Sequence, residues 1–376
     1  MNSYSLRAIH YRTGNPLEIF MKEGVFSRIN NISPAKNLPV IFPGLVDLQV
    51  NGWKGTDINR EGTDPEDFIT LTQDLRQQGI TTWFPTLITQ SVENLETTLH
   101  AYSKVYSLLK TSAPGIHLEG PFISPEEGAR GAHPARFVQA PDWALMERWI
   151  AISGGNIRLI TLSPEWPESE NFIRKCISAG VKVSIGHTKA DSMQIQSAVN
   201  AGASLSTHLG NGSHLVLRRH PNYIWDQLAE DKLYATIITD GFHLPHAVIK
   251  SFLRVKGKKA LLVSDTTAVG GLPAGEYDAP IGGKVVLTPA GKLHLKTNSD
   301  MLAGSAANLR DCVQYLADTG LESLSDAWDR GSVMPSAFIG LPQADGLTPG
   351  APADCVLLHQ GEMIGVWKDG VRVDLP

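Results

Sequence analysis

Eight short apolar, β-branched runs recur along the chain, each ending in a polar group and separated from the next by a stretch that reads as helix. They span 39–52, 79–89, 114–120, 156–165, 181–188, 203–212, 233–243 and 259–267. Apolar runs of this length read as strands, and the segments between them carry helical periodicity. PEDFITLTQDLRQQG follows the first run, VENLETTLHAYSKVYSLLK the second and ESENFIRKCISAG the fourth. Gly79, Gly180 and Gly202 close such segments, as suits a residue that tolerates positive φ at a helix end. Alternation of strand and helix predicts a parallel sheet, and eight units predict its closure into a (β/α)8 barrel of the TIM type. An open doubly wound sheet is the structural alternative. It usually places a glycine-rich phosphate loop after the first strand, and none is present.

The two ends read differently. Residues 1–42 hold short strand-like pieces (SLRAIHYR, PLEIFMKEG), and residues 346–376 again suggest short antiparallel strands with glycine turns. Neither end has enough apolar surface to fold alone, so they are expected to pair into one small β-domain beside a barrel domain spanning 43–345.

Charge and composition restrict the partners. With 33 basic and 38 acidic residues the formal net charge is −5, which gives no long-range attraction for nucleic acid or an anionic membrane. No stretch approaches the roughly 20 apolar residues of a membrane helix. The N-terminus lacks the apolar core of a secretory signal. Cys176, Cys312 and Cys355 are odd in number and widely spaced, which suits a reducing compartment. These features predict a soluble cytoplasmic protein.

In such barrels the reacting groups sit beyond the C-terminal ends of the strands. Gln49 and Asn51 close the first run, Glu119 the third, His187 the fifth and His208 the sixth. Asp240 and His243 close the seventh, and Asp265 the eighth. A lone histidine at a strand end is more often a hydrogen-bonded structural residue than a ligand, but these groups would all have to end strands by accident. Glu119, His187 and His208 together form a ligand set for one divalent metal, with a fourth position left for water. Such a metal lowers the pKa of bound water to about 7. Asp265 is placed to take a proton from that water and return it to a leaving amine. Zn2+ is the first expectation, and Fe2+, Mn2+ or Co2+ accept the same ligands. The loop GPFISPEEGARGAHP carries His133, and long loops on this barrel face usually carry function. Backbone amides at Asn211–Gly212, with Arg219 nearby, suit a phosphate or carboxylate, whereas Arg218 reads as a surface cation. The segment 298–306, NSDMLAGSA, either lines the pocket or begins a helix.

PGLVDLQVNG, HLEGPF, GAHP, IGHT, THLGNG, DGFHLP, VSDTTAVGG and LAGSA together resemble the N-acetylglucosamine-6-phosphate deacetylases of the amidohydrolase superfamily, from about Pro43 to Asp354. The resemblance implies a barrel with a small β-sandwich domain built from both termini. It implies Glu119, His187 and His208 as metal ligands and Asp265 as the acid/base in hydrolysis of the N-acetyl group of N-acetylglucosamine 6-phosphate. His133, with Ala132 beside it, would polarise the acetyl carbonyl or hold the sugar. Asn211, Gly212 and Arg219 would hold the phosphate, Arg219 in its own site or across the interface of a homodimer. His243 and Asp240 would serve the sugar hydroxyls, and Leu302, Ala303 and Gly304 would line the substrate.

Two departures accompany the resemblance. Gln49-x-Asn51 stands where most amidohydrolases carry His-x-His, which argues against a second metal. The segment GNGSH (210–214) is slighter than is usual in the family, which leaves the exact sugar open. A deacylase for an unphosphorylated amino sugar or an N-acyl-D-amino acid is the alternative enzyme, and a non-catalytic barrel used for binding is the alternative outside catalysis.

Overall fold

In a computed structural model, which describes residues 4–279 and 283–375, the eight runs supply eight strands of one parallel sheet. In chain order they are Leu45–Val50, Ile80–Ile88, Ile116–Glu119, Ile157–Leu162, Lys182–Ile185, Leu205–Ser206, Tyr234–Ile237 and Ala260–Leu262. Each pairs with its sequence neighbour. The first and last strands are joined by backbone bonds from Asp265 N–H to Gln49 O (3.0 Å) and from Asn51 N–H to Thr266 O (2.9 Å). All six residues of the first strand are buried, as expected of parallel strands covered on both faces.

Helices Pro65–Arg76, Val92–Leu109 and Ser169–Ser178 fall where the periodicity predicts them. Asp64 caps the first of these in a reciprocal capping box with Asp67. Most of the core lies between strands and helices. A second cluster, including Val46, Leu48, Phe84, Leu159, Leu205 and Leu261, packs with Phe338 and Ile339 of the helix Val333–Ile339.

Two features differ from the sequence expectation. The run 39–52 is two strands, because Val40–Pro43 joins the terminal sheet before Leu45 enters the barrel. The chain passes between them at Gly44, where a Cβ would lie 2.1 Å from Thr81 Oγ1. The region after the eighth strand holds a four-stranded antiparallel sheet: Gly275–Ala279, Gly283–Leu287, Leu293–Leu295 and Asn298–Leu302. The segment LAGSA therefore leaves a strand and does not begin a helix.

Strands from both termini share one seven-stranded sheet in which Val40–Pro43 lies between Tyr4–His10 and Cys355–His359. Leu17, Ile19 and Phe26 from one end of that sheet share a buried cluster with Ala353, Cys355 and Trp367 from the other. The sheet thus curls over a core of its own, a small β-sandwich beside the barrel. No helix among the described residues is long and apolar enough to cross a membrane.

Candidate active site

Glu119, His187 and His208 end the third strand or directly follow the fifth and sixth, and all three are buried. Glu119 Oε1 lies 3.2 Å from His187 Nε2 and 2.9 Å from His208 Nε2, and the two Nε2 atoms are 3.1 Å apart. Burial alone would raise the Glu119 pKa, but the close approach of the two histidines overcomes it and holds the carboxyl well below its usual range. For His208, burial disfavours the charged form, yet the hydrogen bond and charge of Glu119 raise its pKa.

The donor set fits a metal ion. His187 Nδ1 donates to Ala129 O at 3.0 Å, which leaves the Nε2 lone pair facing Glu119 and His208. A single proton satisfies only one of these close pairs. Tetrahedral ligands at about 2.0–2.1 Å from Zn2+ are separated by roughly 3.3 Å, close to the three distances here. His133 is near the same cluster, since Glu119, His133 and His187 present donor atoms within 4.8 Å of one another. Its Nδ1 is engaged by Thr89 Oγ1 at 2.9 Å, and its ring lies 4.4 Å from that of His187. The shorter separations at His208 make it the better third donor and leave His133 beside the cluster. Burial lowers the His133 pKa to about 3, so its imidazole is neutral.

Asp265 follows the eighth strand, and Asn51 Nδ2 donates to its Oδ1 at 2.7 Å. Burial and the nearby Glu119 charge push its carboxyl up to about 6. Gln49 Nε2 likewise donates to Glu119 Oε1 at 2.9 Å. The two amides at the His-x-His positions thus each hold a carboxylate. His187, His208 and Asp265 all have positive φ (49°, 29° and 50°), a region costly for residues other than glycine. Such strain is concentrated where side chains must be aimed.

These groups open into one cavity of about 800 Å3. Ala132 and His133 from the loop after the third strand line it, as do Asn211, Gly212 and His243 from the sixth and seventh. Leu302, Ala303 and Gly304, delivered by the inserted sheet, complete that side. Asp240 stands behind His243, accepting from its Nδ1 at 2.7 Å, and this bond outweighs burial to lower the Asp240 pKa. Gly212 has a second constraint: a Cβ there would lie 2.6 Å from His187 Nδ1. Arg219 is the exception. It is exposed on the loop after His208 and does not line its own chain's cavity.

Sequence reasoning missed one wall of the cavity. It is formed by Asn59 and Glu61 after the first strand, by Gln90, Ser91, Glu93, Asn94 and Thr97 at the start of helix Val92–Leu109, and by Arg136 and Phe137. None of these residues ends an apolar run, so periodicity carried no signal for them. Asp47 was also missed. Its carboxyl is fully enclosed, accepts from Gln49 N–H and Ser264 N–H at 3.2 Å each, and is raised by burial to about 7.

Metal-competent side chains on the strand ends of a closed eight-stranded barrel, with a carboxyl poised on the last strand, define a hydrolase of the amidohydrolase superfamily. No family model matches the chain. The N-acetylglucosamine-6-phosphate deacetylase of Bacillus subtilis (strain 168) is 32% identical over 326 residues, covering 85% of this chain and 80% of its own. The N-acetylgalactosamine-6-phosphate deacetylase of Shewanella sp. (strain ANA-3) is also 32% identical, covering 88% and 82%. A mutant N-acetyl-D-glucosamine-6-phosphate deacetylase from Mycobacterium smegmatis, solved with N-acetyl-D-glucosamine-6-phosphate, superposes with a TM-score of 0.88 at 26% identity over 99% of this chain and 100% of its own. The chain belongs to the N-acetylglucosamine-6-phosphate deacetylase family.

Proposed function

We propose that the protein hydrolyses the N-acetyl group of N-acetylglucosamine 6-phosphate, releasing acetate and glucosamine 6-phosphate. The observation that carries this reading is the convergence of Glu119, His187 and His208 within 3.2 Å of one another, in one cavity with Asp265. Those three side chains would hold a single divalent metal, Zn2+ first among candidates, which would supply Lewis acidity for the amide carbonyl and lower the pKa of water at the site. Asp265, held by Asn51, takes a proton from the attacking water and passes it to the amine nitrogen as the C–N bond breaks. The neutral His133 orients the acetyl carbonyl. Gly212 offers its backbone amide to the phosphate, Asn211, whose own N–H donates to His208 O at 2.9 Å, lines the cavity beside it, and His243, fixed by Asp240, meets the sugar hydroxyls.

Arg219 is assigned to the phosphate of a partner subunit. Its exposure beside Leu215 and Val216, each 89% accessible, supports a loop that docks on a second copy of the chain. The free buried thiols of Cys176, Cys312 and Cys355 support a reducing, cytoplasmic setting. The 32% identity to the Shewanella enzyme favours a second reading, in which the C4 epimer is the substrate.

Acetate release by the metal-loaded protein from N-acetylglucosamine 6-phosphate, its galacto epimer and the unphosphorylated sugar tests these assignments. The proposal expects the gluco phosphate to be fastest and the unphosphorylated sugar slowest. Faster turnover of the epimer reassigns the sugar, and equal turnover without phosphate removes the role of Arg219.

A further inference from the structure

Glu165 ends the fourth apolar run, 156–165, yet it does not line the catalytic cavity. It stands instead between three loops. Ser124 Oγ, on the loop after the third strand, donates to Glu165 Oε1 at 3.0 Å. Ser163 Oγ, on the loop of Glu165 itself, donates to Oε2 at 2.7 Å, and Lys189 N–H, after the fifth strand, donates to the same oxygen at 3.0 Å. All three donors are neutral, so one half-buried carboxylate makes three charge-assisted hydrogen bonds.

These loops bracket His187. Just before it, Gly186 is wedged between Thr161 and Thr207, where a Cβ would lie 2.8 and 2.9 Å from their side chains. Packing therefore fixes the chain up to His187, and hydrogen bonds must fix it beyond. The His187 carbonyl accepts from Ser124 N–H at 2.8 Å. Thr188 Oγ1 lies 2.7 Å from Ser163 Oγ and accepts from Ala190 N–H at 2.9 Å. A carboxylate only accepts, so the Ser163 hydrogen points to Glu165 and Thr188 must donate to Ser163. The bonds to the His187 backbone and to the two residues after it thus all lead to one side chain. They hold His187 at a φ of 49°, a conformation that its own side chain disfavours.

We propose that Glu165 is a positioning residue for the metal centre, setting the place of His187 Nε2 by stapling the loops after the third, fourth and fifth strands. The inference rests on the metal site of the proposed deacetylase reading and is independent of the sugar. The ion pair of Lys189 with Glu126 also links two of these loops, but both side chains are exposed and such pairs contribute little. The hydroxyls of Ser124, Ser163 and Thr188 belong to buried residues, so withdrawal of the carboxylate leaves them short of an acceptor until the loops move.

The test titrates Zn2+ into metal-free parent, Glu165→Asp, Glu165→Gln and Glu322→Ala in competition with a chromophoric chelator, with thermal unfolding of each metal-free protein alongside. Aspartate keeps the charge but withdraws the carboxyl by about 1.5 Å, so it cannot span Ser124 and Lys189 together. Glutamine keeps the length: its oxygen can serve Ser163 and Lys189 while its NH2 turns to Ser124 Oγ. Glu322→Ala is the stability control, removing the carboxylate that holds Arg330 at 2.5 and 2.6 Å at the start of the eighth strand, away from the site. Glu165→Asp should bind Zn2+ about 10–100-fold more weakly than the parent, as for loss of a group that orients a metal ligand. Glu165→Gln and Glu322→Ala should stay within about threefold of the parent on the same scale. A merely structural Glu165 would lower the unfolding temperature, as Glu322→Ala does, with Zn2+ affinity unchanged. Parent-like affinity in Glu165→Asp overturns the inference, and so does a Glu165→Gln as weak as Glu165→Asp. A parent that takes up no Zn2+ refutes the metal site and this inference together, whereas a parent that binds Zn2+ no better than Glu165→Asp refutes only the latter.

Discussion

Replacing Gly212 with alanine tests how tightly the loop after His208 holds the metal centre, and Gly131 supplies the control. Both glycines have positive φ (55° and 60°), so alanine at either carries a similar backbone cost of about 1–2 kcal/mol. They differ in what the new methyl meets. At 212 it would fall 2.6 Å from His187 Nδ1 and 2.7 Å from Cε1, whereas at 131 the nearest atom is His187 Cε1 at 3.3 Å. Ordinary contact begins at 3.4 Å, so the ring must retreat by about 0.8 Å in one variant and about 0.1 Å in the other. The ring is not free to retreat. Its Nδ1 is tied to Ala129 O at 3.0 Å, and a shift of that size away from the loop breaks the bond that fixes the tautomer. Loss of such a supporting bond typically lowers metal affinity 10–100-fold. Gly212→Ala should therefore bind Zn2+ about 10–100-fold more weakly than the parent, and Gly131→Ala within about threefold of it. Competition against a chromophoric chelator measures affinity, and thermal unfolding of the metal-free proteins checks that both lose similar stability. Equal affinities in the two variants would refute the steric reasoning. So would a larger loss at Gly131.

Asp265→Asn keeps an oxygen to accept from Asn51 but cannot carry the proton, so turnover should fall about 10²–10⁴-fold with metal content unchanged. Metal loss in that variant, seen by elemental analysis, would make Asp265 structural. Arg219→Ala should raise KM for the 6-phosphate at least tenfold and leave the unphosphorylated sugar unaffected; a parallel rise for both would contradict the phosphate assignment. Burial raises Asp57 from 3.8 to about 6, so its cost to the fold is fully present above pH 6 and disappears below about pH 4. Asp57→Asn, which can still accept from Asn59 N–H, should be about 3 kcal/mol more stable than the parent at pH 7 and equal to it near pH 4 by urea unfolding. A gain that does not depend on pH would exclude titration as its source.

The barrel was legible because each parallel strand is buried on both faces and so reads as an uninterrupted apolar run. The candidate site was legible because Glu119, His187, His208 and Asp265 punctuate those runs. What tertiary structure alone decides was not legible. Nothing in the run 39–52 marks its change of sheet, since both sheets bury β-branched residues and only the crowding of Gly44 against Thr81 separates them. The inserted sheet was missed because its strands are three to five residues long and bury little: Val285, Leu287 and Leu293, with Val269, make up its buried cluster. Gln49 and Asn51 read in the sequence only as replacements for a His-x-His pair, whereas the structure shows their amides donating to two carboxylates. Arg219 was read by residue type as an anion binder, but in the single chain it is exposed and lies outside the cavity lining.

Just inside the metal donors, the interior strand positions carry His117, Thr161, Ser184 and Thr207 instead of aliphatic side chains. His117 Nδ1 meets Leu48 O at 3.1 Å, and its Nε2 meets Thr161 Oγ1 at 2.7 Å. Thr161 and Thr207 are 2.7 Å apart, and Ser184 and Thr207 are 2.6 Å apart. A carbonyl can only accept, so Nδ1 of the neutral imidazole carries the hydrogen and Nε2 accepts from Thr161. Thr161 must then accept from Thr207, and Thr207 from Ser184. One backbone oxygen on the first strand thus dictates the direction of every hydroxyl across to the sixth. Exchanging any one of the four for an aliphatic isostere reverses or orphans its neighbours, so these positions are expected to drift among homologues only as a set, like the teeth of one gear.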